Sequence, residues 1–301
     1  MLGGLIITNW DWRWIFLINV PISVAALLVS AFVLRREERK AEQFDLAGAA
    51  IAFTTLLAVS LALSRAHVWG WSSPQTIGAL VYAAIGVFAF LRIERRVTAP
   101  MLDLELFRNR VFAFSVLAAT LYFCAMYCVV FTIPLSAQIA LGRNGLQAGL
   151  LLLPISILNV VLAPAAGALS DRVPARYVST AGALCFLAGS VLLALQPDHP
   201  ALWTLYLSLF VAGAGTAVFS QPNNSTIMGQ APANRRGIAA GILATARTTG
   251  QLLGISVAGA IYFLRSQQLG SLAHSYAPAK AVFFAVAIIM VAVSLVSYTR
   301  D

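Results

Sequence analysis

The sequence predicts an all-α integral membrane protein of about nine transmembrane helices, on three observations. Apolar residues make up 60% of the 301 and charged residues 10%, with a mean hydropathy of +0.84, far outside the composition of soluble globular chains. The apolar residues fall into nine runs of a length that suits about 30 Å of hydrocarbon, which takes roughly 20 helical residues to cross. The basic residues that separate the runs are crowded into alternate connections.

The runs are uniformly apolar rather than alternating and are too long for the roughly ten-residue strands of a membrane barrel, so helices are expected. The first, 15–34, is closed by the mixed-charge segment from Arg35 to Gln43, and the second, 46–66, opens after Asp45. The third, 75–93, starts beside Pro74 and ends among Arg92, Glu94, Arg95 and Arg96. A fourth, 112–138, lies between Arg110 and Gly142; a fifth, 146–169, runs into Asp171 and Arg172; a sixth, 177–196, starts after Pro174 and stops at Pro197. The seventh, 202–222, follows Pro200, the eighth, 238–264, lies between Arg236 and Arg265, and the ninth, 279–298, ends before Arg300. The connection 92–110 carries Met101, Leu102, Leu104, Leu106 and Phe107 among charges, a pattern that fits an interfacial segment or a plain linker.

Placing the loop after the first run in the cytoplasm puts fourteen basic residues on that side and five on the other (Arg13, Arg65, Arg143, Arg265 and Lys280), with Arg247 alone inside a run. The six Trp then all fall on the outer side, where the indole favours the headgroup layer. The carboxyl end is expected in the cytoplasm and the protein in the cell membrane. The formal charge of +9 is thereby a topological signal rather than a nucleic-acid footprint.

Cys124, Cys128 and Cys185 sit in apolar runs without His or acidic neighbours, so a disulfide framework or zinc site is not expected, nor is any metal or cofactor. No phosphate-cradling loop, nucleophile elbow or H-E-x-x-H pair is present, and catalysis is not expected. Met1 leads directly into apolar sequence without a basic flank, as an internal position would.

Ionisable and amide groups within the runs are the candidate functional residues, because hydrocarbon penalises them. All eleven Asp and Glu fall at loops or run ends. Arg247 shares a helical face with Ala240, Ala244, Gln251, Gly254 and Ala258, a small-residue stripe expected to pack on protein. It either ties helices together through Gln221, Asn223 or Asn224 or takes part in gating. Asn159, midway along the fifth run, is the leading candidate for a substrate contact at the membrane centre. Tyr127, Phe131, Pro134 and Gln138 share a face of the fourth run and form either a pocket wall for lipophilic or cationic ligands or ordinary packing. In the turn after the fifth run, Gly167 allows close helix approach, Asp171 can cap the next helix, and Arg172 and Arg176 can anchor at lipid phosphates.

That turn, with Gly167, Asp171, Arg172 and Arg176, resembles the G-x-L-x-D-R-x-G-x-R loop of the major facilitator superfamily, with Pro174 in place of the usual Gly. Gly3-Gly4 and the string from Trp12 to Pro21 resemble the end of the fifth and start of the sixth helix in the fourteen-helix drug:proton antiporters (EmrB/QacA type). Phe44 to Gly48, Pro100 to Phe112, Ala148 to Pro154 and Arg236 to Gly254 follow that family in order. The resemblance implies that residues 1–43 are the end of an amino-terminal bundle, 44–111 two extra central helices with a linker, and 112–301 a carboxyl-terminal six-helix bundle. It implies proton-driven export of lipophilic or cationic drugs by alternating access, with about the first five helices absent. Substrate contacts would be Tyr127, Phe131, Gln138, Asn159 and Gln251; gating or coupling would involve Gly167, Asp171, Arg172, Arg176, Asn223 and Arg247. Protons, the bilayer and a periplasmic adaptor protein are the implied partners, and nucleic acid is not one. Another facilitator substrate, or a fragment inactive in transport, are the competing readings.

Overall fold

The computed structural model describes residues 13–33, 46–70, 72–94, 105–170, 172–270 and 274–299. Among them the chain is helical throughout, without a strand. A four-residue helical turn, Trp14–Leu17, leads into α1 (Asn19–Val33), followed by α2 (Leu46–Trp69) and α3 (Pro74–Glu94). Then come α4 (Arg110–Leu141), a short helix Gly145–Leu150 continued by α5 (Leu153–Ser170), α6 (Ala175–Ala194), α7 (Leu202–Gln230), α8 (Arg236–Leu269) and α9 (Ala277–Thr299). Each expected run has its helix. The largest difference in length is α7, which continues through Pro222, Asn223 and Asn224 to Gln230 because Asn223 and Ile227 are buried against neighbours there.

Six helical spans have the length and composition to cross a membrane: Pro74–Glu94, Arg110–Leu141, Gly145–Ser170, Ala175–Ala194, Leu202–Gln230 and Ala277–Thr299. Asn19–Phe32 and Gly48–Ala62 are apolar over shorter stretches. The 34-residue α8 is not among the six, because Thr245, Arg247, Thr248, Thr249 and Gln251 dilute its apolar content over more than one turn.

Helices α4 to α9 form one bundle, with close pairs α6–α7, α4–α8, α6–α9, α5–α7 and α4–α9. Lipid solvates a leucine as well as another helix does, so close approach of backbones supplies the association. Glycine provides it at the α6–α7, α4–α8 and α5–α7 seams, the last where a Cβ at Gly213 would meet the Ile155 backbone. A Cβ at Gly215 or Gly182 would collide with the backbone across the α6–α7 interface, and one at Gly250 or Gly254 would collide with the α4 carbonyls of Thr120 and Cys124. At Gly167, expected to allow close approach, a Cβ would meet open space; the small residues that matter lie a turn or more inside the bundle.

Tyr122, Phe186, Phe219, Tyr262, Tyr276 and Phe283 fill the core. Asn109 caps α4 by accepting from the amides of Val111 and Phe112, at 2.9 and 3.4 Å. At one set of helix ends Arg235 pairs with Glu105 at 2.8 Å and Asn109 donates to Gln230, also at 2.8 Å. At the other set Lys280 pairs with Asp198 at 2.6 Å, and the Tyr276 amide donates to the Asp198 carbonyl at 3.0 Å. The first set will be called the arginine-rich ends. Of the apolar residues in the 92–110 connection, Leu106 is buried with Ile227 and Ala231, and Phe107 meets Phe112 edge-on at 5.4 Å. Met101, Leu102 and Leu104 lie outside the described residues.

Candidate functional site

Near the middle of the bundle, four helices contribute to one polar and aromatic network. Asn159 of α5 donates to Thr216 Oγ1 of α7 at 2.6 Å and to its own helix at the Ile155 carbonyl, 3.0 Å. The Thr216 hydroxyl in turn donates to the Gly213 carbonyl at 2.7 Å. From α4, the Tyr122 hydroxyl reaches the Thr216 carbonyl at 3.5 Å while its ring stacks on Phe219, centroids 4.4 Å apart. Phe123 meets Tyr122 edge-on at 5.2 Å, and the Arg247 guanidinium of α8 lies 5.4 Å above the Phe123 ring centroid.

Sequence position explains this meeting. Asn159, Thr216 and the Tyr122–Phe123 pair each lie near the middle of a long helix, and adjacent spans, parallel as α5–α7 or antiparallel as α4–α7, bring their middles to one depth. An amide in an apolar span needs a partner, and Thr216 supplies it.

Arg247 departs from its expected setting in one respect. The carboxyl-terminal half of its stripe, Gly254 and Ala258, packs against α4, but Ala240, Ala244 and Arg247 itself are exposed and Gln251 is half-buried. It makes no hydrogen bond to Gln221, Asn223 or Asn224; the Phe123 ring face is its contact. Such a guanidinium over a ring is held by the quadrupole at about 0.5–2 kcal/mol, depending on exposure. Asn223, 1% exposed, donates to the Ser115 carbonyl at 3.0 Å and so joins α7 to α4 nearer the arginine-rich ends.

The other candidates are dispersed. Tyr127 and Phe131 are half-buried, and the Phe131 ring faces Gly259 of α8, so it packs between helices. Gln138 is exposed and donates to the Pro134 carbonyl of its own helix at 3.2 Å. Arg172 is exposed, and Arg176 donates to the Tyr177 hydroxyl at 2.9 Å. Gly167 lies in the last turn of α5, and Asp171 is outside the described residues. Thr216, Tyr122, Phe123 and Phe219 were not singled out from the sequence. The Gly213-Ala-Gly-Thr string marks a close-packed stretch of α7, but a hydroxyl within it reads as filler until a neighbouring helix presents an amide.

The described acidic residues, Glu94, Glu105 and Asp198, lie at helix ends or in connections. Glu105 is held below the usual carboxylate range by the hydrogen bond and charge of Arg235. The central network contains an amide, a hydroxyl, ring faces and a cation, with no carboxylate among its described members. A separate apolar cavity of about 360 Å³ lies between α2, α3 and α8, lined by Thr55, Leu56, Val87, Phe90, Ile242 and Thr245 among others. By helical spacing it faces the side of α8 opposite Arg247.

The profile of the Major Facilitator Superfamily matches residues 1–255 and, in a second match, 115–301. The chain is 32% identical over 261 residues to "Multidrug resistance protein Stp" of Mycobacterium tuberculosis, covering 86% of this chain and 48% of that protein. It is 34% identical over 254 residues to "Uncharacterized transporter YebQ" of Escherichia coli, covering 82% and 54%. With "Multidrug export protein EmrB" of Escherichia coli it shares 29% over 265 residues, covering 85% and 51%. The chain thus spans about half the length of the curated relatives it matches.

Proposed function

Because this chain belongs to the major facilitator superfamily, we propose that it forms the carboxyl-terminal part of a proton-driven exporter of lipophilic drugs. Residues 112–301 would be the carboxyl-terminal bundle, 44–111 the two extra helices with their linker, and 1–43 the end of the amino-terminal bundle. The arginine-rich ends and the carboxyl terminus would face the cytoplasm of the cell, following the basic-residue bias.

One observation carries the reading: a connected network of Asn159, Thr216, Tyr122, Phe123 and Arg247 at one depth, drawn from four helices of one bundle. Facilitators bind at mid-membrane between two bundles that rock about the site; in this cluster Arg247 is exposed and Asn159 half-buried, so these two would meet substrate or the opposing bundle, while Thr216 and Tyr122 are buried behind them. The names of the relatives support drugs as the substrate class. Lipophilic drugs suit the apolar and aromatic surroundings; cationic ones would rely on the Tyr127 ring face, since Arg247 repels them. The proton-carrying carboxylate would come from the opposing bundle. A periplasmic adaptor partner belongs to the same proposal, carried by resemblance alone.

The test expresses this chain alone and fused behind the amino-terminal bundle of a fourteen-helix relative, and follows efflux of a fluorescent lipophilic drug. Export by the fusion, stopped by a protonophore and lowered by Asn159→Ala, is the expected result. Export that ignores the protonophore, or a fusion that folds without exporting, would defeat the proposal.

A further inference from the structure

The connection between α4 and the short helix after it positions a guanidinium for which the described residues supply no acceptor. Gly142 ends α4 in the left-handed conformation at φ 61°, where a side chain would be strained. Asn144 caps the next helix by accepting from the Gln147 amide at 2.8 Å. Arg143, held between the two caps with its own amide bonded to the Ala137 carbonyl at 3.0 Å, has little backbone freedom.

Its side chain is half-buried beside a cavity of about 130 Å³ that it shares with Gln147, Leu150, Leu151, Leu202 and Tyr206. Arg143 Nε is out of solvent and makes no hydrogen bond. Lys280 and Arg235 have carboxylate partners among the described residues; Arg143 has none. Three residues with donor-bearing side chains, Arg143, Gln147 and Tyr206, thus line one small space, and leucines form the rest of its wall. Leu202 adjoins Trp203, 69% exposed in the first turn of α7 at the helix ends opposite the arginine-rich ones, which marks headgroup depth.

We propose that this cavity binds the phosphate of a membrane phospholipid. The guanidinium fork presents parallel N–H donors to two phosphate oxygens, Gln147 and Tyr206 serve a third, and the acyl chains leave along Leu150 and Leu202. A free phosphate ion would satisfy the same donors but would leave the leucines without an occupant. The site lies away from the central network and does not depend on the transport reading.

The test purifies the whole chain in detergent, adds phosphatidylglycerol, and counts retained lipid by native mass spectrometry, with inorganic phosphate as competitor. One retained phosphatidylglycerol is expected, with retention at least tenfold lower for Arg143→Gln, intermediate for Arg143→Lys, and unchanged for Arg265→Gln. Equal retention by Arg143→Gln would overturn the proposal. So would displacement of the lipid by millimolar inorganic phosphate, which would make this a phosphate site. If Arg143→Gln does not fold, Tyr206→Phe decides the matter: it removes one hydroxyl, and undiminished retention together with intact retention by Arg143→Lys counts against the site.

Discussion

Helices α1 and α4 are both apolar stretches of similar character, yet they have opposite fates. Every described side chain of α1 is exposed, up to 88% at Phe32, whereas α4 buries Phe112, Ala118, Tyr122, Cys128, Val129 and Ile133 along its length. Hydropathy does not distinguish them, because in a bilayer apolarity decides only that a helix is immersed. What α4 has is a partner shaped for it: Gly250 and Gly254 of α8 let the two backbones meet, and the Cys128 thiol donates to the Gly254 carbonyl at 3.2 Å. The α2–α3 pair is intermediate, with one such contact where Gly86 lies against Thr55, and α2 touches the bundle through α8.

The contrast yields predictions of decreasing size. Gly250→Leu should be the most damaging, because a side chain there meets the Thr120 carbonyl and Phe123; overpacking costs about 1–3 kcal/mol or more. Gly167→Leu, in open space, should leave unfolding in mixed micelles unchanged, and equal loss in the two variants would refute the role given to the α4–α8 seam. Thr216→Val keeps the shape but strips Asn159 of its partner, and should destabilise the bundle by about 1 kcal/mol, typical of interhelical hydrogen bonds in membranes. On α1, Leu27→Ala, at 72% exposure, should not shift the unfolding of the bundle at all.

The smallest non-zero effect concerns the exposed Arg235–Glu105 pair. The Glu105 carboxyl titrates below its ordinary 4.5 in the folded state, so its stabilisation is fully present above that pH and fades as pH falls through the lowered native value. Glu105→Gln should abolish that part of the acid dependence while leaving stability at neutral pH nearly unchanged, since surface pairs contribute little. A pH profile of unfolding identical to that of the unchanged chain would rule this out.

Much of the central site was invisible in sequence for a definable reason. Asn159 and Arg247 stand out because hydrocarbon penalises polar groups, and both join the network. Gln138 stands out equally, yet lies near the end of α4 and bonds only its own helix; the penalty identifies polar groups without saying which ones meet. Thr216, Tyr122 and Phe123 carry no such mark, since threonine and aromatics are ordinary in membrane helices, and each gains significance only from a neighbour on another helix.

Composition, run length and the placement of arginines by themselves determined an all-helical membrane protein and the position of its helices, because immersion in lipid and helix length are properties of each segment alone. Helix pairing, the dual character of the Arg247 stripe, packed at one end and exposed at the other, and the convergence at Thr216 were decided only by tertiary structure. Those features arise from shape and hydrogen bonding between segments far apart in the chain, which no single segment encodes.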